Sequence, residues 1–220
     1  MSENELKEKK ENISKELEPF LDGIRTMGSS SRNFRLFKEA YKGFLKKHNR
    51  ALAIAELLIK VKVEPTNKVV GDLTELFTYM GLVESVGNNI VNIIVMLLVA
   101  NGRDFHIECR YTTPRIKHVV SIKDLEDERV PLTTKLNFLR DNGITELALI
   151  IDSELRNKIA HLEFDVRKDR IYIKGKPAFE VANNNIYRLL QAVTIILLLL
   201  TSLTKHLAKK EIEEIGKMRG

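Results

Sequence analysis

Sixteen residues from Leu189 to Thr204 carry no charge between Arg188 and Lys205, and a second stretch, Ser85 to Gly102, is equally uncharged. A helix that is apolar on every side has to be surrounded, either by lipid or by other helices. At about 1.5 Å per residue the first run covers about 24 Å, against a hydrocarbon core of about 30 Å. It is also interrupted by Gln191, Thr194, Thr201 and Ser202, and the second holds Asn88, Asn89, Asn92 and Asn101. Neither is a convincing span. Both are expected to be covered by protein, with no membrane partner, and the Leu-rich run Leu197 to Leu200 reads as core or dimer interface. The N-terminus, Ser2 to Lys15, is charged throughout and lacks the apolar core of a signal peptide, so the expectation is a soluble, cytoplasmic protein.

A chain of 220 residues suffices for one domain, or one domain with an extension. With 44% hydrophobic and 30% charged residues it reads as globular. Only 11 Gly and 5 Pro argue against an all-β sandwich or barrel. The lone cysteine, Cys109, excludes a disulfide scaffold and any zinc site built from cysteine pairs, and fits a reducing interior. The 36 basic and 30 acidic residues give a net charge of +6, which permits a nucleic-acid partner without requiring one.

Periodicity predicts a mainly α chain. The first two dozen residues read as a solvated helix ending before Pro19. Arg25 to Arg32 is a turn in which Ser30 or Ser31 can cap the next helix. From Asn33, Phe34, Phe37, Tyr41, Phe44 and Leu45 form an apolar stripe, and Arg32, Arg35, Lys38, Lys42 and Lys46 line another face. That basic face suits phosphate contact, although a solvated face is the commoner reading of such a pattern. A second helix is expected from Ala51 to Ile59, a third from Lys68 to Met80, then the apolar helix Val86 to Ala100. Between 103 and 131 lies an insertion, read as short strands at Phe105–Ile107 and His118–Ile122 or as a long ordered loop. Pro131 opens a helix that Gly143 ends. One helix is expected from Thr145 to Leu162, a hairpin at 164–177 and a closing helix from Glu180 to about Lys209.

The helix Thr145 to Leu162 contains Glu154-Leu-Arg156-Asn157-Lys-Ile-Ala-His161. An Arg five positions before a His is not rare by itself in a chain with 14 Arg and 5 His. Asn directly after the Arg and Ala directly before the His make the string specific. These residue types suit RNA, which supplies its own nucleophile in the 2′-hydroxyl. His moves protons near neutral pH, and the fixed charge of Arg can hold a phosphate as negative charge develops. On a straight helix Asn157 and His161 share a face, while Arg156 stands about 140° from His161 at about 100° per residue. A purely structural reading pairs Arg156 with Asp152 and Glu154 with Lys158, and leaves His161 at the helix end, where the dipole favours a cation.

The R-N-x-x-A-H string resembles the R-x4-6-H signature of the HEPN superfamily. Gly81-Leu82-Val83-Glu84 leading into an apolar helix, the Leu132 to Gly143 helix and the closing apolar helix resemble its antiparallel bundle, over residues 76 to 208. The resemblance implies an N-terminal helical region at 1–75, a HEPN-like bundle at 76–210 and a charged tail at 211–220. It implies a metal-independent endoribonuclease that leaves 2′,3′-cyclic phosphate and 5′-hydroxyl ends, with Arg156, Asn157 and His161 as the catalytic residues. It also implies a homodimer in which two motifs line one cleft, a toxin or defence role, and an antitoxin partner. Some HEPN domains have lost activity and serve as binding or dimerisation modules. In members controlled by a nucleotidyltransferase antitoxin a Tyr stands two positions after the His; here that position is Glu163, and Tyr172 is too distant to replace it.

Two weaker signals complete the reading. Ala51–Ile59 and Lys68–Met80, with Gly-Leu-Val-Glu after them, faintly resemble a winged helix-turn-helix, which implies DNA contact through the N-terminal region. His106, Cys109 and His118 match no standard zinc spacing and lack a fourth ligand. No metal site and no cofactor are therefore expected; neither a Gly-rich phosphate loop nor a G-x-S-x-G elbow is present.

Overall fold

The computed structural model describes residues 3–28, 31–60, 67–108, 116–126 and 130–219. It is 77% helical and 7% strand, in keeping with the mainly α expectation.

Helix α1 (Glu3–Thr26) runs straight through Pro19. It is not solvated: Ile13, Leu17, Leu21 and Ile24 are buried against α4 (Asn88–Ala100), α7 (Thr145–Ile150) and α9 (Ala178–Arg219). A proline inside a helix costs about 3 kcal/mol, whereas burying four aliphatic side chains yields about 1.5–3 kcal/mol each, so packing overrides the breaker. Gly23 permits the approach, since a Cβ there would lie 1.8 Å from Asn101 Oδ1. The Glu16 carboxylate accepts from Glu146 N at 3.0 Å and Thr145 Oγ1 at 2.5 Å, so α1 supplies the cap of α7.

Helix α2 (Arg32–Lys60) is continuous where two helices were expected. Ser31 Oγ accepts from Phe34 N at 3.1 Å, the anticipated cap. Phe34, Phe37 and Phe44 are buried, Tyr41 is half-buried and Leu45 is exposed. Phe37, Tyr41, Phe44 and His48 stack in sequence with centroid separations of 6.1, 5.9 and 5.0 Å.

Asn67 caps α3 (Lys68–Leu82) by accepting from Val69 N at 2.9 Å. The π-helical turn Val83–Gly87 joins α3 to α4, giving one helix from Lys68 to Ala100. Gly81-Leu82-Val83-Glu84 therefore lies inside a helix and ends nothing. Ala51–Ile59, read as the first helix of a helix-turn-helix, is the end of α2, and the residues between it and α3 lie outside the described ones. Every residue from Ile90 to Leu98 is buried, making α4 the central element.

The insertion forms strands β1 (His106–Glu108) and β2 (Ile116–His118), antiparallel with His106 opposite His118, and the short helix α5 (Ile122–Leu125). Pro131 precedes α6 (Leu132–Asp141), and Gly143 at φ +82° ends it. The single helix expected over Thr145–Leu162 is two, α7 and α8 (Ser153–Ala160). The break falls at Asp152, whose carboxylate accepts from Leu155 N at 2.8 Å and so starts a new helix in place of continuing the old one. The expected hairpin gains a third strand, giving the antiparallel order β3 (Asp165–Arg167), β4 (Arg170–Ile173), β5 (Lys176–Pro177). Buried Asp72 of α3 anchors it, accepting from Ile171 N at 2.7 Å and Arg170 Nη2 at 3.3 Å. Helix α9 continues through the expected charged tail to Arg219.

Buried apolar side chains from Ile13 to Leu207 form one continuous cluster. By length and composition alone, Lys68–Ala100 and Ala178–Lys209 could each cross a membrane; 72% of the apolar window is buried in the first and 44% in the second. The first is the core helix of the bundle.

Candidate functional site

Arg156 and Asn157 sit on the second turn of α8, just past the Asp152 cap. Arg156 is half-buried and Asn157 exposed. The guanidinium directs Nε and Nη2 to the carboxylate of Glu84, in the π-helical turn 72 residues earlier, and Nη1 to Asn157 Oδ1 at 2.9 Å. The pairing of Arg156 with Asp152 is not formed: Asp152 instead takes Lys174 Nζ at 3.2 Å. The Glu154–Lys158 pair is formed, at 3.6 Å.

Arg156, Asn157 and Glu84 line a cleft of about 490 Å³ with Asn88, Lys135 and Glu126. Lys135, from α6, is 2% exposed, and its Nζ donates to Asn88 Oδ1 at 2.9 Å and Asn92 Oδ1 at 2.8 Å. Burial lowers the ammonium pKa from 10.5 to about 8, against the opposing attraction of Glu126 and Glu84. The cleft thus gathers two cations, amide groups from α4 and α8, and two carboxylates. Carboxylate and phosphate present similar pairs of acceptor oxygens to a guanidinium, so Glu84 occupies the Arg156 fork in the way a phosphate would.

His161 is the C-cap of α8, at φ −95° and ψ 5°. It is exposed and does not line the cleft, and its bond to the motif runs through the backbone, His161 N to Asn157 O at 3.0 Å. One chain therefore brings Arg156 and Asn157 to the cleft and leaves His161 outside it: the helical angle separates His161 from Arg156, and its place at the C-cap of α8 keeps it off the cleft although Asn157 stands four residues before it.

Arg32, Arg35, Lys38, Lys42 and Lys46 lie along α2, and none of them lines the Arg156 cleft. Arg32 and Arg35 instead line a second groove with Arg103 and His118. Lys47 links α2 to the cleft rim through Glu126 at 2.5 Å. His106 and His118 face each other at 6.4 Å between ring centroids, with Asp104 Oδ1 2.8 Å from His118 Nδ1. Cys109 lies outside the described residues, among which no group of three or more His, Cys, Asp or Glu is placed to hold a metal.

Sequence reasoning missed Glu84, Asn88, Asn92 and Lys135. Asn88 and Asn92 stand four apart in a nearly all-apolar helix, a spacing that puts two amides on one face and so asks for a polar partner. Nothing in the sequence named Lys135 as that partner. No family model, curated protein or solved structure matches this chain.

Proposed function

We propose that the chain is a HEPN-type, metal-independent endoribonuclease acting as a homodimer, toxin-like or defence-related and cytoplasmic, with an antitoxin as its regulatory partner. The observation that carries the reading is that Arg156 and Asn157, the first half of the R-N-x-x-A-H string, open into the cleft beside a second cation. Arg156 holds the scissile phosphate, Asn157 orients it, and His161 handles the proton of the 2′-hydroxyl or of the leaving 5′-oxygen. The products carry 2′,3′-cyclic phosphate and 5′-hydroxyl ends. A two-fold partner brings a second motif to the cleft, and the exposed Leu149 and Leu162 flanking α8 suit burial against it.

A second reading, a non-catalytic nucleic-acid-binding or regulatory dimer, draws on the occupation of the Arg156 fork by Glu84. In that reading the basic face of α2 carries binding, to RNA or to DNA. RNA cleavage in excess EDTA separates the two. Wild type should cleave and leave cyclic phosphates, and His161→Ala should lose cleavage while keeping binding. A folded, dimeric wild type that cuts no RNA pool, and loses binding when Arg35, Lys38 and Lys42 are replaced together, would establish the second reading.

A further inference from the structure

Lys135 is the one lysine among the described residues whose side chain is buried, and among those residues no carboxylate lies within ion-pair distance of it. Its partners are two neutral amide oxygens, from Asn88 and Asn92. An ammonium has three N–H donors; two are used, and the third has no acceptor among the described residues. Taking a full charge out of water against dipoles alone is costly, and an apolar residue at such a position commonly serves stability better. A clamp between α6 and α4 explains the two hydrogen bonds but not the charge, since an amide side chain could make them. Among the described residues the ammonium has no ion-pair partner, although the Glu84 and Glu126 carboxylates of the same cleft attract it from further away.

The cleft supplies the place for a closer anion. Lys135 and Arg156 both line it, with Asn157 and with the Glu84 and Glu126 carboxylates, so the two cationic residues border a single space. Glu84 holds Arg156 from the α4 side without forming an ion pair with Lys135. We propose that this cleft is a phosphoryl-binding site clamped by two cations, and that Lys135 donates its third N–H to a non-bridging oxygen of the RNA phosphodiester held by Arg156. The inference rests on the ribonuclease reading for the identity of the phosphodiester, and on the cleft alone for the phosphoryl chemistry. Asn88 and Asn92 are then positioning residues, fixing where the ammonium stands. The low exposure of Lys135 keeps water from competing for the donor, the condition under which a preorganised hydrogen bond contributes most to a developing charge.

The test compares wild type with Lys135→Met on the full chain, with three probes. These are inorganic phosphate with thermal melting at constant ionic strength, a single-stranded RNA fully 2′-O-methylated so that it cannot be cut, and the unmodified RNA. Phosphate should raise the melting temperature of wild type by several degrees and leave that of Lys135→Met unmoved. Phosphate should also compete with the methylated RNA for wild type, and the variant should cut unmodified RNA about 100-fold more slowly, the scale of losing one preorganised donor. Should Lys135→Met fail to fold, Lys135→Gln supplies the same comparison while keeping N–H donors for the two asparagines. A phosphate response and cleavage within twofold of wild type in the folded variant would overturn the proposal, as would RNA binding indifferent to both phosphate and Lys135. A lysine-dependent phosphate response in a wild type that cuts no RNA supports the phosphoryl site while removing the ribonuclease reading.

Discussion

Glu84 and Arg156 meet across 72 residues, the carboxylate in a π-helical turn and the guanidinium on the second turn of α8, and the contact occupies two of the three guanidinium nitrogens. Both side chains keep some exposure, 33% for Arg156 and 44% for Glu84. Such a pair contributes about 1 kcal/mol or less to stability, so its effect should lie in orientation. Glu84→Ala is expected to leave the denaturation midpoint nearly unchanged and, on the proposed ribonuclease reading, to slow RNA cleavage about 10- to 100-fold as Arg156 loses its fixed direction. Glu84→Gln, which retains one acceptor oxygen, should recover part of the rate. A rate unchanged in Glu84→Ala would mean that Arg156 is oriented by other contacts.

Lys135 links the cleft to pH. Its pKa is about 8 in the folded chain against 10.5 for an exposed lysine, with burial as the main cause and Glu126 and Glu84 opposing it. Between those values the unfolded chain binds a proton that the folded chain does not, so this group makes stability rise with pH. Below about 8 it is charged in both states and its burial penalty is fully present. The full difference is about 3 kcal/mol at about 1.36 kcal/mol per unit. Urea denaturation of wild type and Lys135→Met should therefore show a gap that changes steadily from pH 8 to 10, wild type gaining. A gap independent of pH would show that the ammonium is better solvated than its 2% exposure implies.

Asp72 ties the three-stranded sheet to α3. Removing a buried carboxylate strands the Ile171 N–H and the Arg170 guanidinium, whose Nε already lacks a partner among the described residues. Asp72→Ala should cost about 2–4 kcal/mol, and amide exchange at Ile171 and Ile173 should accelerate more than exchange in α4. A cost under about 1 kcal/mol would mean that water replaces the carboxylate there.

His48 is 2% exposed, stacked on Phe44, and neither ring nitrogen has a partner among the described residues. Burial pushes its pKa below 6.5. As pH falls through 6.5 the unfolded state gains a proton that the folded state resists, so this contribution to stability is present above 6.5 and is lost on acidification. His48→Phe preserves the stack and should flatten the difference between melting curves at pH 7.5 and pH 5. Equal acid sensitivity in both proteins would place the sensitivity elsewhere.

The stripe of α2, the cap at Ser31, the Pro131–Gly143 helix and the hairpin are legible in the sequence because each depends on near neighbours along the chain. Pro19 and the division of Thr145–Leu162 escape such a reading for different reasons: at Pro19 a local rule is outweighed by distant partners, and at Asp152 a local cap signal lies inside a pattern that reads as one helix. Ile13, Leu17, Leu21 and Ile24 carry α1 through its proline by packing on helices distant in sequence, and Asp152 ends one helix by capping another. At the site, Arg156 and Asn157 are visible as a motif. Lys135 is not, since one lysine in a helix of mixed composition has no distinguishing pattern until Asn88 and Asn92 are seen beneath it.

The π-helical turn Val83–Gly87 sets a phase. A turn of this kind holds one residue more than an α-helical turn, so the helix beyond it is displaced by about 100° relative to an unbroken α-helix. Asp72, which carries the sheet, lies before the surplus residue, and Asn88 and Asn92, which carry the ammonium, lie after it. The two loads are aimed independently by one length of chain. Deleting a single residue from that turn would swing both asparagines away from Lys135 while every side chain of the cleft remained in the sequence, disarming the site by rotation alone.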